Sequence, residues 1–272
     1  MIRVPPAELP PEAARSLADY QAAVDMFASY AERVVAAKER FAAANRKENP
    51  AFRAVRQTLD GMCHGPRRCM YCEDSAADEV EHVRPKDLYP EVVFAWANYL
   101  YACGPCNGPK NNRFQVFSAR SGQIVNVTRS PKAPVVAPEP GDPLLIDPRR
   151  ENPLLFMRLD LRDTFLFHEL YPPGTRDYER AYHTIDVLDL NGARGREYLP
   201  KARAEEYEAR CAILGHYVSQ KKAGHPPEAL ARKRAALGRR GHPTVWAEMK
   251  RQQSKIAELR ALFSEAPEAL DW

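Results

Sequence analysis

Between Ala13 and Asn45 the residues Leu17, Tyr20, Val24, Phe27, Tyr30, Val34 and Phe41 recur mostly at three- and four-residue steps, and no glycine or proline interrupts them before Pro50. That period predicts one long amphipathic helix. A shorter helix over 51–59 should follow, closing at the Asp60-Gly61 turn signal. From Met62 to Phe117 the texture changes to clustered cysteines, short apolar runs and a Gly-Pro-rich centre. Prolines at 131, 134, 138, 140, 143 and 148 then mark an ordered surface crossing. Two short apolar runs about Arg162-Asp163, within 154–170, predict a β-hairpin. Helical periodicity returns over 176–188, 194–218, 227–237 and 243–263, and no internal repeat is found. The expected fold class is α+β: a helical N-terminal arm (1–60), a small metal-stabilised core (61–125) and a mixed hairpin and helical C-terminal region (126–272).

Length and composition narrow the function classes. A chain of 272 residues with 44% hydrophobic and 28% charged residues is long enough for a substantial core and is neither disordered nor fibrous. No stretch approaches the roughly 18 apolar residues of a membrane span, and the start lacks the order of a signal peptide, so no membrane partner is expected and the chain is read as cytoplasmic. The net charge of +4 is mild, but its distribution is uneven. From Tyr101 to Val135 every charge is basic, and from Lys221 to Arg240 seven bases face the single acid Glu228. Arg113, Arg232, Lys233, Arg239 and Arg240 are therefore candidate nucleic-acid contacts, with a solvated helix face as the plainer reading of the last four.

The six cysteines are poorly explained as disulfides in a reducing compartment. Cys69-Met-Tyr-Cys72 and Cys103-Gly-Pro-Cys106 are two C-x-x-C pairs, a spacing that brings four thiolates to one tetrahedral zinc. A closed four-thiolate site leaves no open position, so this zinc should be structural. A redox dithiol would need only one such pair. Cys63 and Cys211 read as ordinary semi-buried thiols, with Cys63-His64 a rival ligand pair by proximity.

Between the knuckles run Glu79-Val-Glu-His-Val-Arg-Pro-Lys86 and Trp96-Ala-Asn-Tyr-Leu-Tyr-Ala-Cys103, and the second pair continues as Cys106-Asn-Gly-Pro-Lys-Asn-Asn-Arg113. In these residues the chain resembles the HNH nucleases, in particular the subgroup whose ββα-metal motif is clamped by two C-x-x-C knuckles. Over a longer stretch, Leu144-Leu-Ile-Asp-Pro148, Thr184-Ile-x-x-Leu-x-Leu-Asn191 and Arg203 make it similar to the PtuB-like HNH subunits of Septu and some retron anti-phage systems. The resemblance implies His82 as general base, Glu81 and Asn107 as ligands of a catalytic Mg²⁺ or Mn²⁺, Asn98 as the turn residue holding the loop that carries His82, and Lys110 facing the phosphate. Asn111, one turn beyond Asn107, is the alternative ligand. Pro109 leaves the start of that helix open.

The residue chemistry agrees with such a site. Phosphodiester hydrolysis needs an activated water, a Lewis acid on the phosphate and support for the displaced oxygen. A neutral imidazole can serve as base near pH 7, and a carboxylate and an amide carbonyl suit a hard divalent ion. The expected function is a metal-dependent endonuclease cutting DNA; the resemblance implies 3′-hydroxyl and 5′-phosphate ends and a place within an anti-phage complex. A catalytically silent zinc module that binds DNA and an RNA-directed HNH nuclease are the rivals. The chain has no phosphate loop of its own, so nucleotide hydrolysis would come from a partner, which the resemblance implies to be a PtuA-like ATPase of the ABC/SMC type.

Overall fold

A computed structural model describes every residue from Met1 to Trp272. The N-terminal arm is three helices: α1 (Pro11–Asp25), α2 (Tyr30–Ala44) and α3 (Pro50–Met62). The single helix expected over 13–45 is therefore two. Its break lies at Met26–Ser29, where Ser29 caps α2: its Oγ accepts the Glu32 N–H at 3.2 Å, and Glu32 Oε2 accepts the Ser29 N–H at 3.1 Å. This reciprocal box satisfies donors that a continuous helix would have used internally, so it ends one helix and starts the next. Helix α3 is capped by Asn49, whose Oδ1 accepts the Ala51 N–H at 2.9 Å, and it runs through Gly61 rather than stopping at the turn signal.

Strands β1 (Glu79–His82) and β2 (Tyr99–Ala102) pair antiparallel, with Glu79 opposite Ala102 and His82 opposite Tyr99, and helix α4 (Gly104–Lys110) follows directly. This is the ββα unit. A second sheet, in the order β4 (Ile124–Asn126), β3 (Gln115–Ser118), β5 (Gly141–Pro143), recruits part of the Pro-rich crossing as its edge. Only glycine fits at 141, because a Cβ there would stand 2.1 Å from the Phe117 carbonyl oxygen. The strand ends at Pro143. Beyond it Leu144 to Ile146 are buried, the Leu144 N–H donating to the Gln115 carbonyl and the Ile146 N–H to Thr184 Oγ1, both at 3.0 Å.

The hairpin of β6 (Met157–Leu159) and β7 (Phe167–Glu169) turns on Asp160, whose carboxylate accepts the Arg162 and Thr164 N–H groups. Four helical segments were expected beyond it, and five are present: α5 (Arg176–Val187), α6 (Tyr198–Lys222), α7 (Pro227–Gly238), α8 (Pro243–Gln252) and α9 (Ala257–Glu265). The stretch 243–263 breaks at Gln253–Ile256, where Ile256 adopts an extended conformation. One hydrophobic cluster of 53 residues runs through the whole chain, from Leu17, Phe41 and Phe52 in the arm, through Tyr99 and Leu100, to Leu188, Leu214 and Met249. Arg203 is buried in it, its guanidinium donating to the Phe165 and Leu190 carbonyls and lying 4.7 Å from the Phe167 ring centroid. No helix is long and apolar enough to cross a membrane.

Candidate metal centre and catalytic cleft

The two cysteine pairs come together because the first knuckle is stitched to β2. The Met70 N–H donates to the Tyr101 carbonyl and the Asp78 N–H to that of Ala102, while Cys103 caps α4 and Cys106 lies in its first turn. The Sγ atoms of Cys69, Cys72, Cys103 and Cys106 lie within 4.8 Å of one another, all buried, with Cys72 and Cys103 separated by 3.8 Å. A tetrahedral zinc with Zn–S bonds of about 2.3 Å would set the sulfurs about 3.8 Å apart, so these residues can hold zinc. Arg196 supplies a cation at the edge of the cluster, its Nη1 donating to Cys106 Sγ at 3.5 Å and to the Leu188 carbonyl at 3.2 Å. Nothing near Arg196 in the sequence pointed there. Cys63 and Cys211 stand outside the group, and burial pushes both thiols up to about 12.

Next to this cluster, Glu79, Glu81, His82, Lys86, Gly104, Asn107 and Asn111 line a polar cleft of about 220 Å³. Residues two apart on a strand share a face, and each acid of β1 takes one side chain of α4. Glu79 Oε2 accepts the Asn107 Nδ2–H at 2.6 Å, and Glu81 Oε1 pairs with Lys110 Nζ at 2.5 Å. Lys110 is fully buried and also donates to the His82 carbonyl at 2.8 Å. It was expected to face a phosphate. In the structure it lies behind the strand end instead, because two acceptors of β1 enclose its ammonium.

His82 is 4% exposed, packed edge-on against Phe41 of α2 (centroids 4.4 Å apart) and Tyr99 (5.2 Å). Its Nε2 meets the Val93 carbonyl at 2.9 Å. A carbonyl can only accept, so Nε2 carries the hydrogen and Nδ1 the lone pair. Nδ1 has no protein partner and is not sealed from solvent. Burial, reinforced by the Lys86 and Lys110 cations and opposed by the Val93 hydrogen bond, brings the imidazole down to about 3. Asn98 ties the loop: its Oδ1 accepts the Arg84 N–H at 2.8 Å, and its Nδ2 donates to the Arg84 and Val92 carbonyls at 3.1 Å. Asn111 ends α4 with φ 37° and is exposed.

The structure scatters the candidate nucleic-acid contacts. Arg113 is half-exposed and pairs with Asp186 at 2.9 Å, and Arg240 grips Glu206 with two hydrogen bonds of 2.8 and 2.9 Å. Arg232 and Arg239 are exposed and Lys233 is partly buried, none of them ion-paired. Glu79 carries no motif signal in the sequence. Only its i, i+2 spacing from Glu81 marks it.

No known family profile matches the chain, and no solved structure does. Over 66 residues it is 39% identical to the Septu protein PtuB of Bacillus thuringiensis, a match covering 22% of this chain and 24% of that protein. The chain thus aligns with about a quarter of the curated relative, and that segment is what is similar.

Proposed function

We propose that this protein is a metal-dependent HNH-type endonuclease that hydrolyses DNA phosphodiesters as the nuclease subunit of an anti-phage complex, with a PtuA-like ATPase as its partner. The observation that carries this reading is the convergence of the Glu81-His82 strand end and Asn107 on one polar cleft beside a four-thiol cluster. The partial likeness to a Septu protein supports the defence role.

Glu81 and Asn107 offer a carboxylate and an amide carbonyl, hard donors suited to Mg²⁺ or Mn²⁺. When bound, such an ion supplies Lewis acidity at the scissile phosphate. His82 takes the proton of the attacking water at Nδ1, while the Val93 carbonyl holds its tautomer and Asn98 holds the loop. Water attacks phosphorus in line, the P–O3′ bond breaks, a solvent water protonates the departing O3′, and the products are a 3′-hydroxyl and a 5′-phosphate. The negative charge of an arriving phosphate raises the affinity of the buried imidazole for that proton.

The test is cleavage by the complex reconstituted with the candidate ATPase. His82→Ala should lower the rate by about a hundredfold or more, the scale of a positioned base, with zinc content unchanged. Asn107→Ala should also disable cutting but recover in part at high Mn²⁺. Wild-type cutting by His82→Ala would replace this reading with a silent zinc module.

A further inference from the structure

Asn107 has two chemically opposite side-chain ends. Only its Oδ1 can ligate a cation, while Nδ2 can only donate, and an amide free to rotate presents the wrong end part of the time. Glu79 removes that freedom. Its carboxylate is an obligate acceptor on the same face of β1 as Glu81, and it takes the Nδ2–H at 2.6 Å. Gly104 admits the carboxylate, since even a bare Cβ at that position would stand 3.2 Å from Glu79 Oε1. Both Glu79 and Asn107 line the cleft.

Resting on the nuclease reading above, we propose that Glu79 is a positioning residue: by accepting from Nδ2 it fixes the Asn107 amide so that Oδ1 faces the cleft, and so sets the affinity of the centre for a hard divalent cation. Groups that orient a ligand in this way typically contribute ten- to a hundredfold in metal affinity. Glu79 also adds negative charge beside the ion without being its ligand.

The probe is Mn²⁺ binding to the zinc-loaded full chain, followed by the paramagnetic signal of the free ion, with cleavage as a second readout. Glu79→Ala should weaken Mn²⁺ binding about tenfold or more, with zinc content and melting temperature at wild-type values. Glu79→Gln should restore part of the loss, because its carbonyl can still accept from Nδ2 although the negative charge is gone. Asn107→Asp supplies the decisive background: a carboxylate has no wrong end to orient, and Glu79 then opposes a like charge. There Glu79→Ala should leave Mn²⁺ affinity unchanged or tighten it. Equal weakening in both backgrounds would make Glu79 a direct ligand and overturn the proposal, as would unaltered Mn²⁺ affinity in Glu79→Ala when Asn107→Ala loses it. If Asn107→Ala also binds Mn²⁺ normally, the nuclease centre itself is misassigned.

Discussion

His82 is held neutral by its surroundings, and that has a measurable cost at low pH. Its folded value lies near 3, and that of His183, likewise lowered by burial, near 4, against 6.5 in an unfolded chain. Between about pH 6.5 and 4 the unfolded chain therefore binds protons that the native state refuses, so stability must fall as pH falls through that window. We expect the melting temperature to drop on acidification from pH 7 to 4.5, and His183→Gln to make the drop shallower. Identical slopes for the two proteins would refute the assignment. That Glu81, His82 and Asn107 share one cleft was legible in the chain because they sit at motif spacing. The environment of Lys110 was not. Its enclosure depends on Glu81 and the His82 carbonyl, both far away in sequence, and a lysine with those neighbours reads the same as one facing solvent.

Among the elements, the thiol cluster joins the first knuckle to the start of α4. Cys103→Ser should lose the metal and lower the melting temperature, because closed four-cysteine sites couple zinc binding to folding. Elemental analysis of the purified chain should find about one zinc, and a well-folded, zinc-free protein would contradict the assignment. The break between α1 and α2 was written in the sequence as Ser29-x-x-Glu32, yet the apolar rhythm of Phe27 and Tyr30 runs across it and masks the cap. Ser29→Ala should cost about 1 kcal/mol, read by denaturant melts. The break between α8 and α9 carries no glycine or proline, so periodicity alone joined them.

Across the whole molecule, charge is less available than composition implies. Arg240 is committed to Glu206 and Arg113 to Asp186, which leaves Arg232, Arg234 and Arg239 as the exposed cations of the basic run without an ion pair. If that run tracks a nucleic-acid backbone, Arg232→Ala with Arg239→Ala should flatten the log-log salt dependence of DNA binding by roughly one unit for each phosphate no longer neutralised. An unchanged slope would return the run to plain solvation. The helix spans of the C-terminal region were legible because amphipathic period survives in single sequence. The joining of arm, core and C-terminal helices into one hydrophobic cluster was not, since periodicity names a buried face without naming what covers it.

The packing behind His82 is borrowed. Phe41, which lies edge-on to the His82 ring, belongs to a helix far upstream of the cysteine pairs. The ββα unit is thus not portable: residues 61–125 grafted onto another scaffold would keep both knuckles and every motif residue. The imidazole would nonetheless lose the Phe41 side of its aromatic cover while keeping Tyr99, Lys86 and Lys110, and with less burial its proton affinity would rise toward that of an ordinary histidine. Insertions that lengthen the chain between arm and knuckles should be tolerated, whereas any that rotate α2 by a fraction of a turn should retune the imidazole without touching a single residue of the motif.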